Sequence, residues 1–164
     1  MKKNIIIFGS SGHAQEILEC VQNKKKIYNF LGFVEKKSIY NKLWAEDCHL
    51  TLERFEDNPL DVITAADVFV YIGNLEVIFE KVKQALVFGG SFIFSTETCD
   101  RCSAYAINTK TMRVRHSKDY ILGLAKKYGF DILSSETTWG REESGKKVSM
   151  EVYVMSPNPL STGM

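Results

Sequence analysis

Two glycines separated by two serines, Gly9-Ser10-Ser11-Gly12, follow the apolar run Ile5-Ile6-Ile7-Phe8 and lead into His13 and a helical pattern. Such a turn lets an anion approach the backbone, and the unpaired N–H groups at a helix start favour a phosphate or carboxylate. The same turn also serves elsewhere as a tight packing corner. Three acids stand at strand ends: Glu35 after YNFLGFV, Asp47 after LWAE and Asp67 after DVITAA. In an open parallel sheet ligands lie beyond the carboxyl ends of the strands, so acids there face the ligand edge. Glu35 lies 26 residues after Gly9, against roughly 20 in dinucleotide-binding units. It is either an acceptor for ribose hydroxyls or a surface acid in a charged turn with Lys36 and Lys37.

Tyr71, Tyr105 and His116 are candidates for orienting a substrate or moving a proton, His for its near-neutral pKa and Tyr for a polar tip on an apolar body. For His116 a structural hydrogen bond is the competing reading. Cys99 and Cys102 form a C-x-x-C, but no second pair supplies the four ligands of a zinc site, and His116 is a lone distant candidate. No metal is expected, and the four cysteines (Cys20, Cys48, Cys99, Cys102) read as ordinary thiols of a reducing compartment.

The elements that must position these residues follow from periodicity. Asn4 to Phe8 is a short buried strand. Ala14, Ile17, Leu18 and Val21 mark one face of the helix after the glycine turn. Tyr28 to Val34 is a strand, Leu43 to Glu46 another, and Leu50 to Phe55 a brief helix. Val62 to Ala66 reads as a strand buried on both faces. Asn74 caps a helix with Leu75, Ile78, Phe79, Val82 and Leu86 inward, stopped by Gly89 and Gly90. Ser91 to Ser95 is the next strand, and the loop Cys99 to Arg115 is the one sizeable lid candidate. Ser117 caps a helix ended by Gly129. Asp131 to Thr138 and Val148 to Met155 form a hairpin joined by the charged segment Gly140 to Lys147.

The whole is an α/β domain over residues 1–156 with a flexible tail at 157–164. Its 164 residues, 45% apolar and 25% charged, suffice for one core. A net charge of +1 lacks the basic field of nonspecific nucleic-acid binding, so no nucleic-acid partner is expected. Lys24-Lys25-Lys26 reads as a solvated helix end. The amino-terminal apolar run is too short for a secretory or spanning segment, which implies a cytoplasmic protein without a membrane partner.

Five strands alternating with helices and then a hairpin make a Rossmann-like, seven-stranded sheet that resembles the class I S-adenosylmethionine-dependent methyltransferases. The phrases KSIYNKLWAEDC, DVITAADVFVYIGNLEVIFEKVKQALVFGGSFIFSTE, RVRHSKDYILGLAKKYGF and GKKVSMEVYVM resemble the methyltransferase domains found beside tetratricopeptide repeats. Residues 1–35 depart from that family: Ser11 and His13 stand where its glycine loop has glycines. Instead IIIFGSSGHAQEILECV and FLGFVE are similar to the nucleotide-sugar-binding amino-terminal domain of sialic acid and bacillosamine acyltransferases. The hexapeptide repeats that carry acyl transfer in those enzymes are absent from this sequence.

The methyltransferase resemblance implies S-adenosylmethionine as cofactor. It places Gly9, Ser10, Ser11 and Gly12 near the methionine end, Glu35 on the ribose, Asp47 near the adenine amine and Asp67 at the methyl end. It leaves the methyl acceptor and the catalytic residues unknown. The alternatives are a nucleotide or nucleotide-sugar binding module and a noncatalytic methyltransferase remnant.

Overall fold

A computed structural model of the protein describes residues 1–9, 12–34 and 59–159. The expected strand at 43–46, the helix at 50–55, and the candidates Ser10, Ser11, Glu35 and Asp47 lie outside these residues.

The described chain runs β1 (Lys3–Phe8), α1 (His13–Asn23), β2 (Tyr28–Val34), β3 (Leu60–Ala65), a 3-10 turn (Phe69–Tyr71), α2 (Glu76–Ala85), β4 (Leu86–Thr98), β5 (Tyr105–Asn108), β6 (Arg113–His116), α3 (Lys118–Tyr128), β7 (Phe130–Glu143) and β8 (Lys146–Pro157). The eight strands form one sheet. The order β2-β1-β3-β4 is parallel throughout, and β8 then pairs antiparallel with both β4 and β7. This is the expected Rossmann-like arrangement, a parallel core finished by an antiparallel hairpin.

Alternation along the strands sends one set of side chains to each face. Ile6, Phe8, Ile63, Phe92, Phe94 and Tyr153 pack against Ile78, Phe79 and Val82 of α2 and Ile121, Leu124 and Ala125 of α3. Phe79 meets Phe92 and Phe94 edge-on, each at 5.7 Å, a preferred aromatic geometry. On the other face Ile5 and Val62 pack with Val21 of α1. The α1 helix thus covers the β1–β3 side, with its amino terminus at the carboxyl ends of those strands.

The cap of α3 agrees with expectation. Ser117 Oγ accepts from the Tyr120 N–H at 3.2 Å, and Gly129 ends the helix at φ 70°. At α2 the cap position is Leu75 rather than the expected Asn74, which stands one residue earlier and accepts from the Glu76 N–H at 2.9 Å through Oδ1.

Several boundaries differ. The α2 helix stops at Ala85, because Leu86 is already extended at φ −80° and ψ 138°. Gly89 and Gly90 lie within β4, where the register with β3 shifts between Leu60 and Val62. They serve a bulge: Gly89 has φ +76°, and a Cβ on Gly90 would meet the Val87 and Asp61 carbonyl oxygens at 3.0 and 3.1 Å. The hairpin strands extend well past their expected ends, to a two-residue turn at Ser144-Gly145.

The expected loop at 99–115 folds into β5 and β6, with β6 joining β4 through Glu97↔Arg115 and Thr98↔His116. Cys99 and Cys102 within it are joined as a disulfide rather than remaining free thiols. Pro157 is the last residue of β8, and the Asn158 N–H donates to Gly129 O at 2.9 Å, so order continues past the expected start of the tail. Among the described residues no helix is long and apolar enough to cross a membrane.

Candidate functional site

Two adjoining cavities open at the carboxyl ends of β1 and β3. One, of about 300 Å³, is bounded by Gly9, Gly12 and His13 on one side and Asp67, Val68 and Tyr71 on the other. The second, of about 240 Å³, shares His13 and Asp67 and runs along the sheet past Thr64 and Ser95 to Trp139. Gly9, Gly12 and Asp67, far apart in sequence, therefore meet at one site.

The backbone explains why glycine is needed here. Gly9 has φ +79°, and Gly12, immediately before α1, has φ +47° and ψ −113°, a combination disfavoured for residues bearing a Cβ. Among the described residues no side chain caps the α1 amino terminus. The Gln15 and Glu16 N–H groups turn back to Gly12 O at 3.0 and 3.3 Å, so the helix dipole, rather than a row of open donors, is what this terminus offers an anion. His13 is exposed and shares a hydrogen bond with Glu16 at 3.1 Å through Nδ1. It borders both cavities, so its side chain would meet any ligand held on the turn.

Asp67 adopts φ 54°, a left-handed conformation that Asp tolerates better than most residues. Its N–H donates to Ser95 Oγ at 3.0 Å, which ties the turn after β3 to β4. The Asp67 carboxylate faces two guanidiniums, Arg141 at 3.5 Å and Arg113 at 3.6 Å. Both arginines also reach Glu97, whose side chain is 1% exposed: Arg113 at 3.8 Å, and Arg141 through a direct hydrogen bond. Arg115 approaches the other Glu97 oxygen at 3.5 Å, and Arg141 Nε donates to Glu143 at 2.8 Å. Burial opposes the charge on Arg141, but its bonds to Glu97 and Glu143 outweigh this and hold its pKa above the usual arginine value.

Tyr71 belongs to the site. It is half exposed, lines the first cavity, and accepts a 3.3 Å hydrogen bond from Arg113, whose guanidinium also lies 5.4 Å from its ring centre. His116 is 1% exposed, and its Nε2 lies 2.9 Å from Ile72 O and 3.1 Å from Gly73 O. Two carbonyl acceptors place the proton on Nε2, so the ring pins the loop after the 3-10 turn to β6. Burial lowers its pKa despite those bonds. The structural reading of His116 prevails over proton transfer. Tyr105 covers Gly73, where a Cβ would approach its ring Cδ2 to 2.9 Å, and it borders neither cavity.

Glu97, Arg113, Arg115 and Arg141 were not singled out in the sequence. The alternation of RVRH puts Arg113 and Arg115 on one strand face, and Glu97, like Asp67, is an acid at the carboxyl end of a strand. That second signal was hidden by ending β4 at Ser95.

A family model described as the PglD N-terminal domain matches residues 4–77. The match includes the glycine turn and reaches beyond Asp67, well past the first 35 residues. No curated protein matches the chain at a significant level. Among solved structures, a putative S-adenosylmethionine-dependent methyltransferase from Listeria monocytogenes is similar with TM-score 0.60 at 14% identity, covering 96% of this chain and 92% of that one. An O-methyltransferase from a polyketide synthase of Brevibacillus brevis, solved with S-adenosyl-L-homocysteine, gives TM-score 0.64 at 10% identity, with 96% and 67% covered. A methyltransferase from Leishmania major gives 0.60 at 14% identity; this chain spans 65% of its length and 94% of its own. Identities this low show a shared fold.

Proposed function

We propose that this chain is an S-adenosylmethionine-dependent methyltransferase of the tetratricopeptide-associated type. The observation that carries the reading is the convergence of the α1 amino terminus, the Gly9 and Gly12 backbone and Asp67 on adjoining cavities, in a sheet finished by an antiparallel hairpin. The positive end of the α1 dipole suits the carboxylate of the cofactor's methionine, and Gly9 and Gly12 let it lie against the backbone. Asp67, whose carboxylate already faces Arg113 and Arg141, is assigned to the border of the methionine and methyl end. Glu35 and Asp47 are assigned to the ribose and adenine.

The bound cofactor supplies an activated methyl group for in-line attack by the acceptor. The protein's part is alignment and exclusion of water. Tyr71, fixed by Arg113, borders the cavity where an acceptor would be oriented. The methyl acceptor is left open.

A nucleotide or nucleotide-sugar binding module is the second reading, favoured by the family match over residues 4–77. Isothermal titration with S-adenosylmethionine, S-adenosylhomocysteine and a uridine nucleotide-sugar separates the two. Binding of the first two supports the methyltransferase. Binding of the nucleotide-sugar alone replaces it, and binding of none leaves a noncatalytic remnant.

A further inference from the structure

A third cavity, of about 340 Å³, lies between the end of β4 and the tip of the β7–β8 hairpin, bounded by Glu97, Arg115, Glu143, Lys146 and Lys147. Its two carboxylates are already engaged. Glu97 is held by Arg113, Arg115 and Arg141, and Glu143 by Arg141. Its cations are less occupied. Lys146 has no carboxylate partner among the described residues. Lys147 lies 5.7 Å from the Trp139 ring centre. Arg115 uses Nε on Glu97 at 3.5 Å, and no described residue engages its terminal nitrogens. The cleft therefore presents a guanidinium edge and two ammonium groups beside two carboxylates that share Arg113, Arg115 and Arg141, which leaves the cations lining it in excess by one.

We propose that this cleft binds the phosphate or carboxylate group of a small-molecule methyl acceptor. A guanidinium edge presents paired donors to such a group, and the lysines add charge without fixed geometry. The volume of about 340 Å³ admits one anionic group of this size. Its location gives the assignment its meaning: Arg141 touches Glu97 and Glu143 in the cleft and Asp67 in the cavity on its other side. One guanidinium thus lies beside both the cleft and the site assigned to the methyl donor, so an acceptor anchored in the cleft and extending past Arg141 would carry its reactive end toward Asp67 and Tyr71. This role rests on the methyltransferase reading, whereas anion binding by the cleft does not.

The test is isothermal titration of the full chain with inorganic phosphate and, separately, acetate at constant ionic strength, each alongside S-adenosylhomocysteine. The unaltered protein is expected to bind at least one anion saturably. Lys146→Ala/Lys147→Ala should weaken that binding about tenfold, and Lys146→Arg/Lys147→Arg should retain it. Affinity for S-adenosylhomocysteine should stay the same in all three. Failure of the unaltered protein to bind either anion, or an alanine variant that binds like it, overturns the proposal. So does a parallel loss of S-adenosylhomocysteine affinity, which a fold-wide defect would explain. Cleft-dependent anion binding without S-adenosylhomocysteine binding supports the anion site but overturns the methyltransferase reading and, with it, the acceptor role.

Discussion

The Arg141 guanidinium lies 3.5 Å from the Asp67 carboxylate, although the two residues are 74 positions apart in sequence. It ties the terminal hairpin to the turn after β3 and shares Glu97 with Arg113 and Arg115. Glu97 is thus the acid on which three cations depend. Arg141→Gln leaves Glu97 two guanidiniums and is expected to cost about 2 kcal/mol. Glu97→Gln leaves three cations with too little opposing charge and is expected to cost about 3 kcal/mol or more. Urea denaturation of both variants checks the order, and equal losses would contradict the central place of Glu97.

Gly140 is the extra residue of a bulge between Trp139↔Ser149 and Arg141↔Val148. A Cβ there would collide with the Met150 side chain, lying 2.9 Å from Sδ and closer still to Cγ. Gly140→Ala should destabilise by about 2 kcal/mol through overpacking. Met150→Ala opens space at the same point, so the double variant should lose less than the sum of the two. Strict additivity in denaturant midpoints would mean the clash is relieved elsewhere.

His116 gives a sign for pH dependence. Burial holds its pKa in the folded protein below the ordinary 6.5, so the unfolded chain takes up the proton first as pH falls. The resulting stability is present above 6.5 and is lost as pH drops through the folded value. Glu151 adds a separate loss below 4.5: burial disfavours its charge, but Lys118, Ser135 and Thr137 outweigh this and lower its pKa. His116→Gln keeps a donor for the two carbonyls and should flatten the limb that begins as pH falls below 6.5. An unchanged limb in thermal melts would assign that loss to another group.

Much of the fold was legible because its signals are local. The apolar run of β1, the stripe on α1, the Ser117 cap and the Gly129 stop each depend on a few neighbouring residues. Gly89-Gly90 misled because a glycine pair suits either a helix end or a bulge, and the choice lies with the β3 register rather than with the residues themselves. The site was legible in part. Gly9, Gly12 and Asp67 announce themselves through strand ends and turns. The partnership of Arg113, Arg115 and Arg141 with Glu97 depends on β6 docking beside β4 and on the Gly140 bulge, which no short sequence window contains.

Gly12 offers the most direct test of the turn. Alanine at φ +47° has open space for its Cβ but a strained backbone costing about 1–2 kcal/mol. Gly12→Ala should therefore weaken S-adenosylhomocysteine about tenfold while leaving the core of α2 and α3 intact. Calorimetry read beside near-ultraviolet circular dichroism distinguishes a distorted turn from a disturbed fold. Undiminished affinity with intact dichroism would place the ligand elsewhere.

The antiparallel strand β8 lies between β4 and β7, so Phe94 finds its partner Tyr153 only after the helix α3 and the whole of β7 have been made. During synthesis one side of β4 therefore waits with open hydrogen-bonding positions, an invitation to edge-to-edge pairing with another nascent chain. Shortening the protein to end before Lys146 would make that waiting state permanent, and the product should accumulate as aggregate rather than as a smaller folded domain.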